Sequence, residues 1–319
     1  MKSYSNKLAV ITGAGTGMGR ELAKQLAAQG CNIAVCDVLL DSMAVTRAAC
    51  EQLAPPGTRI TSHVCDVADE AQVIAFRDAV QAEHATDRAH LLFNNAGLGG
   101  GGSFINDTRA EWDRTFAVCW FGVYYCTRAF LPMLIASDEA CLVNTSSVNG
   151  FWATLGGIPH TAYSTAKFAV KGFSESMLVD LRVNAPHVKV ALVMPGHIGT
   201  EIAFNSRKLH GKPDVTAMSV DEVTQMRVQA TRMGVSVDNL SDDQLRVHMT
   251  QRLTEFRDNA PCSAAQAATI ILDGVLDDRF RLLVGEDAKE LDRLVRESPE
   301  QAYEASLFAN WRLPPRGNK

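Results

Sequence analysis

Hydrophobic residues in this chain fall in short, nearly continuous runs separated by longer segments of helical period. The runs are KLAVITG (7–13), NIAVCD (32–37), RITSHVCD (59–66), HLLFNNAG (90–97), CLVNTSS (141–147), VKVALVMPG (188–196) and FRLLVG (280–285). Apolar residues on both strand faces mark strands covered on both sides, as in a parallel sheet. Between them, GRELAKQLAAQG (19–30) and DEAQVIAFRDAVQAEHA (69–85) read as amphipathic helices. The first ends on glycine and the second opens on acids, as helix termini favour. Segments 111–134 and 163–182 are longer and more apolar. They are expected to pack on the core with one face and on another subunit with the other.

Strand–helix alternation of this kind predicts an α/β, Rossmann-type, doubly wound three-layer sandwich: a seven-stranded parallel sheet with helices on both faces. Residues 201–258 are polar, helix-prone and strand-free. They predict a helical insertion, spanning 201–262, within one domain covering 1–319 rather than a second domain. The tail NWRLPPRGNK (310–319) is expected to be an extended arm or disordered.

Composition narrows the class. At 319 residues, 46% hydrophobic and 21% charged, the chain is ordinary for a globular protein. A net charge of −5 and a pI near 5.9 argue against nucleic acid as the main partner. No window approaches the ~18 consecutive apolar residues of a membrane span, and the N-terminus lacks a signal-peptide layout. The eight cysteines form no Cys-x-x-Cys pair, and Cys36 and Cys141 lie in apolar runs. They read as reduced core residues of a cytoplasmic protein, and a metal site is not expected.

The chemistry begins in VITGAGTGMGRELA, a glycine turn between the first strand and first helix. Glycines 13, 17 and 19 form G-x-x-x-G-x-G after Thr12, letting the backbone approach a phosphate at a helix N-terminus. The second strand ends in Asp37, eighteen residues after Gly19. A carboxylate there suits the ribose hydroxyls of NAD and repels the 2′-phosphate of NADP. In HTAYSTAKFAV (160–170), Tyr163 and Lys167 share one helix face, being four residues apart.

Together with CDVAD (65–69), NNAG (94–97), NTSS (144–147) and PGHIGT (195–200), in this order, these motifs resemble the short-chain dehydrogenase/reductase family in its single-domain branch. The resemblance is strong over about residues 5–200. It implies NAD-dependent hydride transfer with a secondary alcohol or ketone. Tyr163 would be the general acid/base, Lys167 the cation that lowers its pKa and holds the nicotinamide ribose, and Ser147 the contact to the substrate oxygen. Ser146 is the weaker serine, and Asn144 and Thr145 are read as structural. The resemblance places the cofactor on Gly13, Thr16, Gly17, Met18, Gly19, Asp37, Asp66, Val67, Asn94, Ala96, Gly97, Tyr163, Lys167, Pro195, Gly196, Ile198 and Thr200. His197 is read as structural, since Tyr163 fills the role of base.

One position departs from the family pattern: Cys119 stands where a helix asparagine usually supports a proton-relay water. A thiol is a poor replacement. It leaves open an active enzyme with another relay, slow turnover, or an NAD(H)-binding sensor or scaffold. The glycine spacing disfavours an epimerase or dehydratase. The gap between Ser147 and Tyr163 is longer than the family's and predicts a small loop insertion. Phe151 and Trp152 in it are expected to line a pocket for a bulky, hydrophobic substrate, aryl alcohols, lignin-derived ketones and steroids fitting equally. The run of four glycines (99–102) reads as a mobile edge or a spacer, and residues 201–211 as the start of a lid. The long apolar helices imply a homodimer or homotetramer.

Overall fold

A computed structural model describes residues 1–155, 158–232, 236, 237 and 239–304; the expected tail at 310–319 lies outside them. The seven predicted runs form seven strands of one sheet: β1 Leu8–Thr12, β2 Asn32–Asp37, β3 Ile60–Val64, β4 Leu91–Asn94, β5 Ala140–Thr145, β6 Val188–Pro195 and β7 Arg281–Val284. Every pairing is parallel, in the order β7-β6-β5-β4-β1-β2-β3. The order reverses between β1 and β4, which opens a crevice at the strands' C-terminal ends.

Strand residues alternate between two cores. Ala9 and Ile11 face one, with Leu22 and Leu26 of α1 (Gly17–Ala28), Met43 of α2 (Leu40–Leu53) and Ile271 of α10 (Ala264–Leu276). Leu8 and Val10 face the other, with Phe76 of α3 (Glu70–His84), Phe130 of α5 (Gly122–Ile135) and Leu181 of α6 (Thr161–Asn184). Burial on both faces explains why the runs are continuous in apolar residues.

The first long apolar segment is not one α-helix. α4 (Arg109–Phe116) passes through a π turn, Ala117–Phe121, into α5. The Gly122 amide bonds the Ala117 carbonyl, which places one extra residue in the turn. The run Arg109–Ile135 is long and apolar enough to cross a membrane, but over half of its most apolar window is buried in the protein.

The segment after β6 holds α7 (Ile202–Leu209), α8 (Val220–Arg232) and α9 (Asp242–Asp258), with its own apolar cluster of Val215, Met218, Val223, Val237 and Leu245. No strand interrupts 201–258 among the described residues; Cys262–Ser263 pairs with Ile198–Gly199. α11 (Glu286–Glu297) follows β7.

Candidate active site

An open crevice lies at the C-terminal ends of β1 to β4. Gly13, Thr16, Gly17 and Met18 form its floor. Gly13 has φ +65°, and a Cβ there would lie 2.6 Å from Ala96 Cα, so only glycine lets the turn and the NNAG segment meet. Gly19 is not in the crevice lining; a Cβ there would collide with the Gly13 carbonyl, so its lack of a side chain keeps the turn compact. Thr16 is the N-cap of α1, but its side chain caps no amide. The first-turn amides therefore remain available to an anion.

Asp37 lines one end of the crevice, its oxygens accepting from the amides of Gly15 (2.8 Å) and Leu39 (3.0 Å). An ionised carboxylate has further lone pairs for ribose hydroxyls. Asp66 and Val67 line the neighbouring wall, with Asp66 paired to Arg114 at 2.7 Å. Ala96, Gly97 and Thr200 line the crevice as well.

Asn94 does not line it, which corrects its reading as a cofactor contact. Its amide is buried between Thr127 Oγ1 (3.0 Å) and Asn144 Oδ1 (2.9 Å), tying β4 to α5 and β5. Its neighbour Asn95 lines the crevice instead and donates to the carbonyls of Thr12 and Gly13. Strand alternation sends the two asparagines to different sides, and that signal was readable. Arg114 and Asn205 were not readable: each reaches the crevice from a helix distant in sequence. Asn205 Nδ2 donates to Thr16 Oγ1 at 3.1 Å, so α7 lies across the glycine turn.

Ser147, Tyr163, Lys167 and Cys119 converge beyond the end of β5. Ser147 opens a short turn and accepts from the Asn149 amide (3.1 Å). Ser146 points away and donates to the Lys167 carbonyl (2.7 Å). Lys167 is buried, with Nζ donating to the Thr145 carbonyl at 2.8 Å and lying 5.4 Å from the Tyr163 ring centroid. Burial pushes the Tyr163 phenol well above its ordinary range, and Cys119 pushes the same way; a hydrogen bond with Ser147 opposes them. Burial lowers the Lys167 ammonium, while Cys119 favours it. The expected lowering of the phenol is thus not a property of these residues alone, because desolvation outweighs them. Cys119 is fully buried at the centre of the π turn, and its thiol donates to the Leu98 carbonyl at 3.3 Å.

The aromatic pair after Ser147 is a second correction. Trp152 is 2% exposed, packs with Val148, Ala288 and Leu291, and donates Nε1 to the Ala302 carbonyl (2.7 Å). Phe151 packs on the same cluster, with the Arg281 guanidinium 5.6 Å from its ring. Both serve the β7–α11 side, so neither is a substrate wall. The insertion between Ser147 and Tyr163 is a hairpin of Thr154–Leu155 and Ile158–Pro159, its tip outside the described residues. The glycine run packs against the start of α6: the carbonyls of Gly101 and Gly102 accept from Ala162 and Thr161 amides, and a Cβ on Gly101 would lie 2.8 Å from Ala162 Cβ.

In the turn after β6, Thr200 alone reaches the crevice. Pro195 pairs with Val284, the Gly196 amide bonds the Val284 carbonyl, and the Ile198 side chain is in the core. None of these three puts a side chain on the crevice wall. His197 stacks on Phe256 and bonds its carbonyl (2.7 Å), consistent with a structural role. Its amide donates to buried Asp287 Oδ2 at 2.6 Å, a contact sequence gave no sign of.

Residues 7–210 match the family model described as short chain dehydrogenase. The chain is 34% identical over 296 residues to SadH of Mycobacterium tuberculosis, covering 93% of this chain and 92% of that one. It is similar to a Burkholderia phymatum short-chain dehydrogenase/reductase solved with NAD, with a TM-score of 0.74, 27% identity, and coverage of 94% and 96%. A metagenomic short-chain oxidoreductase solved with NADP matches with a TM-score of 0.54, 25% identity, and coverage of 78% and 91%.

Proposed function

This chain belongs to the short-chain dehydrogenase/reductase family of oxidoreductases, and from that premise we propose that it interconverts a secondary alcohol and a ketone using NAD, with Tyr163 as general acid/base. The observation that carries this reading is the meeting of Ser147, Tyr163 and Lys167 beside a crevice with uncapped helix amides in its floor and Asp37 at its far end. When bound, the nicotinamide supplies the hydride acceptor for oxidation and the donor for reduction. Gly13, Thr16, Gly17 and Met18 would hold the diphosphate of the dinucleotide, and Asp37 its adenosine ribose. Ser147 donates to the substrate oxygen and orients it. Tyr163 takes the hydroxyl proton as the alcohol is oxidised and returns it as the ketone is reduced. Lys167 supplies the positive charge that favours the phenolate. Leu98, Val118 and Leu209 give the crevice an apolar wall, which suits a substrate with a hydrophobic body, and α7 acts as its lid.

The cofactors of the two solved relatives divide, so the preference for NAD rests on Asp37. Its charge opposes a 2′-phosphate, and no unpaired cation lines that end among the described residues. Asp37→Ser should narrow the NAD⁺-over-NADP⁺ ratio of kcat/KM by at least ~10-fold. A second reading, an NAD(H)-binding sensor with little turnover, is favoured by Cys119, whose thiol is engaged with Leu98.

NADH formation from a panel of aryl, alicyclic and steroid secondary alcohols separates the two. Turnover that falls at least ~10³-fold in Tyr163→Phe, with NADH binding retained, supports the enzyme. Tight NADH binding without turnover across the panel supports the sensor.

A further inference from the structure

His160 immediately precedes α6, three residues before Tyr163. Its imidazole packs on the phenol ring with centroids 4.7 Å apart and a 42° tilt. Tyr163 is therefore flanked along the helix by two nitrogen side chains, Lys167 from the turn after and His160 from the turn before. The lysine's Nζ spends one of its three N–H donors on the Thr145 carbonyl. Neither ring nitrogen of His160 takes part in a hydrogen bond among the described residues, and neither is a sealed, orphaned atom: the residue is half-buried.

The backbone around it is fixed. The Thr161 amide and hydroxyl bond the carbonyls of Gly102 (2.9 Å) and Gly101 (3.1 Å), and the Ala162 amide bonds Gly101 (3.0 Å). The glycine run thus holds the imidazole against the phenol. Burial also pushes the imidazole down to about 4. It stays neutral at assay pH, with one N–H donor and one bare acceptor.

We propose that His160 is a second polar contact for the substrate, and that the substrate carries another oxygen one or two carbons from the reacting one: a diol, hydroxyketone or diketone. This rests on Tyr163 being the acid/base. Ring contact places the imidazole beside whatever group lies a few bonds from the oxygen held by Tyr163. A neutral imidazole donates to a carbonyl and accepts from a hydroxyl, so one residue serves both directions of reaction. A substrate lacking the second oxygen leaves a half-buried imidazole unpaired, the kind of mismatch that discriminates most strongly between analogues.

The test uses cyclohexanol and trans-1,2-cyclohexanediol with NAD⁺, on the full chain and on His160→Phe, His160→Gln and Tyr163→Phe. Phenylalanine keeps the ring packing and removes the hydrogen bonds; glutamine keeps a donor and an acceptor. The wild type should favour the diol by at least ~10-fold in kcat/KM. His160→Phe should erase that preference through KM for the diol alone, and His160→Gln should restore part of it. In ¹⁵N-histidine-labelled protein with NAD⁺, the diol should shift the His160 ring nitrogens and cyclohexanol should not. Equal use of both alcohols, equal losses in His160→Phe, or no diol-specific shift overturns the proposal, including when neither alcohol is turned over. Turnover surviving in Tyr163→Phe instead overturns the acid/base reading on which it stands.

Discussion

At the scale of the residue, Tyr163 shows how burial and charge divide the work. The surrounding protein holds the phenol protonated, because taking a phenolate out of water costs more than Ser147 recovers. A protonated phenol is ready to reduce a ketone; oxidation needs the base. Alcohol oxidation should therefore climb steadily with pH through the alkaline range, while ketone reduction holds or declines. Paired pH profiles of kcat/KM check this, and an oxidation rate flat from neutral to pH 10 would mean that bound NAD⁺ and Lys167 overcome the burial and ionise the phenol below neutral. Cys119 makes a second residue-level prediction. Its thiol donates weakly to the Leu98 carbonyl, whereas an asparagine amide could keep that bond and add an acceptor. Cys119→Asn should raise kcat several-fold with NADH affinity within about twofold. An unchanged kcat would mean that position 119 only packs.

At the scale of elements, the turn after β6 is held from outside the sheet by the first turn of α11. Asp287 is 1% exposed and accepts the His197 amide, and the Gly196 Cα lies so close to the carboxylate that a Cβ there would collide with it. Burial pushes the carboxyl up, and the amides of His197 and Ala288 oppose that shift. Because Thr200 carries this turn onto the crevice wall, α11 sets part of the cofactor site from some ninety residues away. Gly196→Ala should cost roughly 1–3 kcal/mol of stability by overpacking and weaken NADH binding, read by denaturant titration and fluorescence. Asp287→Asn retains the shape and an acceptor, so it should bind NADH nearly as well as the parent. A Gly196→Ala protein with both values unchanged would show that the turn relaxes freely.

At the scale of the whole molecule, four histidines act together on acid stability. Burial lowers the imidazoles of His63, His90, His84 and His160, the last two to about 4. In the unfolded chain each would titrate near ~6.5. Between about 4 and 6.5 the unfolded state binds more protons, so stability rises with pH across that window and is lost as pH falls through it, by up to about 1.4 kcal/mol per pH unit for each proton. Asp287 acts the opposite way, but as one group against four. Thermal midpoints should drop from pH 7 to 5; a flat profile would mean that these histidines protonate in the native fold. The long apolar helices also keep Phe168, Val179 and Val183 of α6 exposed, and we infer a homo-oligomer built on that face. Val179→Glu should shift the sedimentation profile toward monomer.

What the sequence by itself determined is whatever depends on local pattern. Doubly buried strands need continuous apolar runs, and a phosphate-binding turn needs glycines at set spacings before a helix. The seven strands, the crevice and the placing of Tyr163 beside Lys167 on one helix were therefore legible. Tertiary structure alone decided which way side chains face where the chain leaves regular period. Phe151 and Trp152 turned to α11 because a distant helix offered them a core. Asn94 and Asn95 are the opposite case, since strand alternation readable in the sequence sends only Asn95 to the crevice. Asp287, Arg114 and Asn205 reached the site across gaps in sequence that no spacing rule spans. The phenol's environment belongs to the same class, since desolvation is set by everything packed around a group and not by its neighbours in the chain.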